Sequence, residues 1–357
     1  MLWERRYNGP GNGHDRASAL AVDDLGNVYV TGASVGLGTS YDYATIKYNS
    51  DGNELWVARE DGPGNGPDFA YALAVDDFGN LYVTGTSFDS TTDFDYTTIK
   101  YDAGGNPLWF ARYNGPGMID EAYVLTIDNL GNVYVTGGSY TSETTNAHYD
   151  YATIKYDSNG NELWVARYNS PENGYDRARA IAVDNSGNVY VTGECGGFLP
   201  IPPDYFDYAT IKYDSSGSEL WVARYNGPGD YDDRAYALAV DDSGNVYVTG
   251  GSFGFGTSYD YATIKYQGTP GIKEYLISKE DDIRIVPNPS RGLTRVYYNP
   301  QKKGLATLRI YNTLGNLLYA IKSANGEFRI GPLPIGIYLL RFESASGSKK
   351  EKLIVVK

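Results

Sequence analysis

The stretch Ala19–Glu60, ALAVDDLGNVYVTGASVGLGTSYDYATIKYNSDGNELWVARE, decides the fold. Its runs ALAV, NVYVTG, DYATIKY and ELWVAR are short, rich in β-branched and aromatic residues, and bounded by Gly, Asn and Asp, the pattern of β-strands. DDLGN joins the first two runs, with an Asp to hydrogen-bond the turn backbone and a Gly to supply positive φ. NSDGNE joins the third to the fourth in the same way. The stretch therefore reads as a four-stranded antiparallel meander.

The meander recurs. Trp3, Trp56, Trp109, Trp164 and Trp221 open near-identical segments spaced 53, 53, 55 and 57 residues apart. The ALAVD-like runs end at Asp23, Asp76, Asp128, Asp184 and Asp241, and the DYATIKY-like runs begin at Asp42, Asp95, Asp150, Asp207 and Asp260. Four strands every fifty-odd residues mean propeller blades, because one meander cannot bury both its faces whereas neighbours packed around an axis can. The expected fold is all-β: a five-bladed β-propeller over residues 1–266, with strands a to d running outward in each blade. The fifth copy stops at Tyr266 without a d strand, and the chain opens on LWERRY, Leu2–Tyr7, a d strand without its c strand. Pairing Leu2–Tyr7 with Asp260–Tyr266 is predicted to complete the fifth blade and lock the ring.

Charge divides the chain. It has 30 Lys and Arg against 44 Asp and Glu, yet residues 267–357 carry 15 basic and 7 acidic residues. The acidic propeller region argues against nucleic acid as a partner, since phosphates need a basic footprint. No apolar run approaches membrane-spanning length. Cys195 is the one cysteine, so no intrachain disulfide exists. Residues 267–282 read as a linker. Residues 283–357 alternate apolar and polar side chains over six or seven short strands, which predicts a small Ig-like β-sandwich.

The repeat ALAVDDSGNVYVTGGS…YDYATIKYDSSGSELWVARYNG resembles the bacterial β-propeller repeat family known as SBBP, over residues 1–266. The C-terminal part resembles the sorting domain of the type IX secretion system of Bacteroidetes-like bacteria. That likeness is carried by Pro287-Asn288-Pro289, the LRIYNTLGNLL hairpin, Gly336-Ile337-Tyr338 ahead of a strand, and a Lys-rich end at Lys357. It implies export, engagement of the type IX machinery, and release or attachment at the cell surface. MLWERRYNGPGNG has no apolar core of a signal peptide. Because the chain also starts inside a repeat, an upstream piece carrying that signal, and further blades, is expected.

No nucleophile elbow, phosphate loop or zinc-ligand spacing is present. His14 and His148 read as loop residues and Cys195 as a buried or loop thiol. Asp15, Asp68, Asp120, Asp176 and Asp233 each precede the Asp that ends strand a by eight residues, forming a ring of carboxylates at one mouth of the channel. Such a ring suits calcium or a basic partner, but a residue needed in every copy is more simply a backbone cap. No cofactor is expected.

Recognition is expected where the copies differ. The b–c connections diverge, and that of blade four, with Phe198, Leu199, Ile201, Tyr205 and Phe206 among prolines, reads as an apolar contact surface. The favoured reading is an exported, non-catalytic propeller that binds a protein or glycan at the cell surface. A secreted glycan-active hydrolase or lyase using acidic residues at the channel mouth is one alternative, and a structural surface-layer component another.

Overall fold

The computed structural model describes residues 1–141, 148–171, 173–196, 205–229, 231–254 and 256–267. It also describes 283–286, 294–298, 305–312, 316–323, 327–330, 333–334, 336–344 and 347–355. The chain divides into two compact units, Met1–Lys273 and Glu274–Lys357, with the division inside the expected linker.

The first unit is a succession of antiparallel meanders. Blade one is β1 (Asp15–Val22), β2 (Val28–Val35), β3 (Tyr41–Tyr48) and β4 (Glu54–Glu60). Blade two is β5 (Asp68–Val75), β6 (Leu81–Asp89), β7 (Asp93–Tyr101) and β8 (Pro107–Tyr113). Blade three is β9 (Asp120–Ile127), β10 (Val133–Thr141), β11 (His148–Tyr156) and β12 (Glu162–Tyr168). Blade four is β13 (Arg177–Val183), β14 (Val189–Gly196), β15 (Phe206–Tyr213) and β16 (Glu219–Tyr225). Blade five has three strands, β17 (Asp233–Val240), β18 (Val246–Phe253) and β19 (Tyr259–Tyr266). The turns follow the sequence chemistry. In the first, the Asp23 carboxylate accepts the N–H groups of Leu25 and Asn27, the Asn27 amide and the Tyr29 hydroxyl, and Gly26 sits at φ +77°. A carboxylate satisfied four times over is a turn-former and not a calcium ligand.

The first three junctions between blades share the same three contacts. The c-strand tyrosines Tyr43, Tyr96 and Tyr151 are buried against the next blade and donate to Thr97 O, Ala152 O and Ala209 O. The tryptophans Trp56, Trp109 and Trp164 donate Nε1–H to Ala103 O, Ser158 O and Ser215 O in the next blade's c–d turn. The lysines Lys47, Lys100 and Lys155 lie over Tyr29, Tyr82 and Tyr134 and reach those same carbonyls. Within each of the first four blades an arginine of strand d binds the aspartate that opens the DYATIKY run, at 2.7 Å for Arg59–Asp42, 2.8 Å for Arg112–Asp95, 2.9 Å for Arg167–Asp150 and 3.0 Å for Arg224–Asp207.

The predicted closure of the ring does not form. Leu2–Tyr7 makes no strand, and among the described residues β19 has β18 as its one strand neighbour. The segment instead docks on blade one as a d strand docks on the following blade. Trp3 Nε1 donates to Ser50 O, Arg5 Nε donates to Gly52 O, and the Tyr7 hydroxyl accepts from Arg59. Those contacts are satisfied with no c strand beside the segment, so they do not by themselves draw β19 in. Tyr261, the counterpart of Tyr43 (1% exposed), is accordingly 99% exposed.

The second unit is a two-sheet sandwich. Its strands are β20 (Ile283–Val286), β21 (Thr294–Tyr298), β22 (Ala306–Tyr311), β23 (Leu317–Ser323), β24 (Glu327–Ile330), β25 (Gly336–Ser344) and β26 (Gly347–Val355). The sheets run β20-β21-β24 and β23-β22-β25-β26. Val296, Phe328 and Ile330 of one meet Leu308, Ile310, Leu340 and Phe342 of the other in a single apolar core. Among the described residues no helix is long and apolar enough to cross a membrane.

Removing Arg59 leaves the buried Asp42 carboxylate without its guanidinium. Arg59→Ala is expected to destabilise the propeller by about 3–5 kcal/mol, the usual cost of an orphaned buried charge. Chemical denaturation checks this, and a loss below about 1 kcal/mol, the range of an exposed pair, refutes it.

Candidate functional site

The five aspartates proposed for a channel-mouth ring all sit at the start of strand a, and all are occupied by backbone amides. Asp15 accepts from Gly9 N, Asp68 from Gly62 N and Phe88 N, and Asp120 from Gly115 N. Asp176 accepts from Ser170 N and Gly196 N, and Asp233 from Gly227 N and Phe253 N. Each carboxylate fastens the d–a connection to its own blade, and in four of the blades it is fully buried. Burial pushes the Asp120 carboxyl up to about 6 and the Asp176 carboxyl up to about 7.

The blade-four connection is seen in part: Phe198, Leu199 and Ile201 lie outside the described residues. Tyr205 packs on Tyr231 with centroids 4.3 Å apart, and Tyr231 on Phe253 at 4.8 Å. Phe206 lies under Arg234 at 4.7 Å and donates its N–H to Asp232. So the two aromatic residues that are described face blade five and join a cluster there.

His148 was expected in a loop and is not there. It opens β11, is buried, and places Nε2 3.1 Å from Asp150 Oδ1. The β10–β11 pairing continues past Tyr140↔Tyr149 to Thr141↔His148, so the strand includes the histidine. His14 is exposed and Cys195 is fully buried. In the sorting-type unit, Tyr338 is a core residue whose hydroxyl donates to Pro334 O at 2.7 Å, and Gly336 starts β25. Pro287, Asn288, Pro289 and Lys357 lie outside the described residues.

What sequence reading missed is the first half of strand a. The residue after each ring aspartate is Arg16, Phe69, Glu121, Arg177 or Arg234, and two positions further on stands Ser18, Tyr71, Tyr123, Arg179 or Tyr236. No two consecutive blades carry the same pair. These side chains alternate with the buried alanines Ala70, Ala122, Ala178 and Ala235, and they are partly or fully exposed. They also touch one another, within a blade and across blades. Phe69 stacks on Tyr71 at 6.4 Å, and Tyr71 meets Tyr123 at 6.0 Å. Arg179 lies 4.8 Å over Tyr123 and donates to Glu194 at 2.7 Å.

Glu194 is 3% exposed and has Arg234 on its other oxygen at 3.8 Å. Its counterparts in the other copies are Ala33, Thr86, Gly138 and Gly251. Testing each strand position for departure from the repeat would have found this band, whereas attention to the loops alone passed over it. Because strand a begins opposite the end of strand b (Asp15↔Ser34, Asp68↔Ser87), the band lies at the b–c connection end of the blades. It is a contiguous aromatic and charged surface on a rigid sheet scaffold, the chemistry of a binding face.

The match to a repeat model agrees with the fold. A model described as a beta-propeller repeat matches residues 62–87, 108–142, 163–195 and 220–252, and one described as a secretion system C-terminal sorting domain matches 284–356. An uncharacterized WD repeat-containing protein of Acanthamoeba polyphaga mimivirus is 26% identical over 53% of this chain and 17% of its own length. The regulatory protein FlaEY of Caulobacter vibrioides is 27% identical over 53% of this chain and 24% of its own. The chain thus spans about a fifth of the length of these curated relatives. Among solved structures, the alpha-L-arabinanase of Penicillium chrysogenum aligns at a TM-score of 0.46 and 13% identity, over 78% of this chain and 87% of that one.

The raised carboxyls predict how stability varies with pH. A carboxyl whose folded value lies above its unfolded value near 3.8 stabilises the fold fully below that value and loses the contribution as pH rises through the folded one. Stability is therefore expected to fall between about pH 4 and pH 7, with Asp176→Asn flattening the slope. Thermal unfolding across that range checks this; a flat profile, or one unchanged in the variant, refutes it. In sum, the chain is a protein of bacterial β-propeller repeats that ends in a type IX secretion system C-terminal sorting domain.

Proposed function

We propose that this protein is an exported, non-catalytic propeller that binds a protein or glycan at the cell surface. Its five sheets act as the blades of one propeller. Its Ig-like C-terminal sandwich directs passage through the type IX machinery and attachment. The observation that carries the reading is the division of labour among the repeats. Polar groups that recur in every copy are consumed by internal bonds, as with the Arg–Asp pairs and the capping aspartates. The residues that differ, Phe69, Tyr71, Glu121, Tyr123, Arg177 and Arg179, are gathered on one end of the blades.

Two measurements test it in the native host. Deleting residues 283–357 is expected to move the chain from the surface and medium into the periplasm. An unchanged distribution removes the sorting role. The double variant Tyr71→Ala, Tyr123→Ala is expected to weaken attachment of the purified protein to cells or to their surface glycans about tenfold or more, as loss of aromatic anchors does. Undiminished attachment by a folded double variant removes the face.

A further inference from the structure

The junction of blades one and two departs from the repeat in one place. Strand d otherwise ends in Tyr-Asn: Tyr7-Asn8, Tyr113-Asn114, Tyr168-Asn169 and Tyr225-Asn226. At blade one the pair is Glu60-Asp61. The missing tyrosine has a defined place. Across strands, Tyr113 pairs with Tyr96, Tyr168 with Tyr151 and Tyr225 with Tyr208, with ring centroids 5.3–5.4 Å apart. Two of these hydroxyls also accept from an arginine of the following blade, Tyr7 from Arg59 at 2.9 Å and Tyr113 from Arg167 at 2.8 Å.

At the departing junction Tyr43 faces Glu60, and Arg112 has no phenol to bind. The space the ring would fill is a cavity of about 130 Å³. Its apolar wall is Tyr43, Ile99 and Phe110, and its polar wall is Glu60, Asp61, Asp68, Ser87 and Arg112. Exposed Asp61 and Pro63 form the rim, so the cavity opens to solvent. Burial raises the carboxyls of Glu60, Asp61 and Asp68.

We infer that this cavity is a binding site for one pyranose ring of a neutral glycan. The repeat itself fills the same volume with a six-membered ring bearing a hydroxyl held by an arginine. A pyranose offers that ring, an apolar C–H face for Tyr43 and Phe110, an oxygen for Arg112, and further O–H donors for Glu60 and Asp61. The carboxylate lining repels an anionic sugar. A bare cation fits less well, although Asp42, Asp61 and Asp68 bring carboxylate oxygens within 4.8 Å of one another. Asp42 already holds the Arg59 guanidinium at 2.7 Å, and both Asp68 oxygens accept backbone N–H groups. The site is separate from the strand-a face, and neither proposal depends on the other.

The decisive variant is Glu60→Tyr, which restores the residue of the other copies and closes the cavity. The full chain is titrated, by saturation-transfer NMR, with cellobiose, maltose, lactose and mannobiose. The wild type is expected to bind at least one at millimolar affinity or better. Glu60→Tyr is expected to lose that binding while unfolding at the same or a higher temperature. Tyr71→Ala, Tyr123→Ala is expected to retain it. No binding by the wild type, equal binding by Glu60→Tyr, or calcium bound in preference to every sugar overturns the proposal. If Glu60→Tyr fails to fold, Asp61→Asn, which also restores a residue of the repeat, decides the question. It weakens binding if the inference holds and leaves binding unchanged if it does not.

Discussion

A tyrosine ring wedged between neighbouring sheets is the contact on which the rest of the propeller depends. Tyr43 crosses from β3 into blade two, Tyr96 from β7 into blade three and Tyr151 from β11 into blade four, each buried and each bonded to a main-chain carbonyl there. The wedge dictates its surroundings. The Tyr43 hydroxyl comes so near Gly85, and the Tyr96 hydroxyl so near Gly137, that a Cβ at either glycine would collide with it and with the carbonyl of the facing strand. The glycine of every NVYVTG run is required by its own blade as well, because a Cβ at Gly32, Gly85, Gly137, Gly193 or Gly250 would meet the facing strand-a carbonyl first, and only glycine admits so close an approach. The alanine of strand a is small for a related reason: Ala70, Ala122, Ala178 and Ala235 lie in the same inter-blade cores as the wedges.

Around the wedge, polar groups are spent on geometry. The Asp–Arg pair closes each blade's outer edge, and the capping aspartate holds the connection that leads to the next blade. The threonine pair at the middle of strands b and c, such as Thr31 with Thr45 at 2.8 Å, satisfies two buried hydroxyls at once. A scaffold that uses its recurring polar groups internally has none to spare for a ligand. That is why the chemistry of this protein must be sought where a copy departs from the others.

Much of this was legible in the sequence. Strand type, turn chemistry, repeat period and the two-part division follow from local residue patterns, and local patterns are what a sequence displays. The capping role of the five aspartates followed from their recurrence. Ring closure did not, because LWERRY carries the features that dock a d strand on the next blade, Trp3 and Tyr7, and these operate without the c strand at its side. His148 was misplaced because the boundary between strand β11 and its loop depends on packing beside Asp150 and not on propensity. Glu194 and the Glu60-Asp61 pair escaped for another reason. Each is one ordinary residue type at an ordinary spacing, and its meaning appears only when the same position in the other blades is known to be filled by something smaller or by a ring.

The inner strands carry a consequence of their own. In the first half of four of them an alanine belongs to the scaffold, and the side chains on either side of it reach solvent at least in part. A substitution at one of those positions alters the surface without touching a wedge or a cap. The blades thus form a rack of interchangeable slots, on which a duplicated repeat can acquire new specificity one side chain at a time while its neighbours keep the old one.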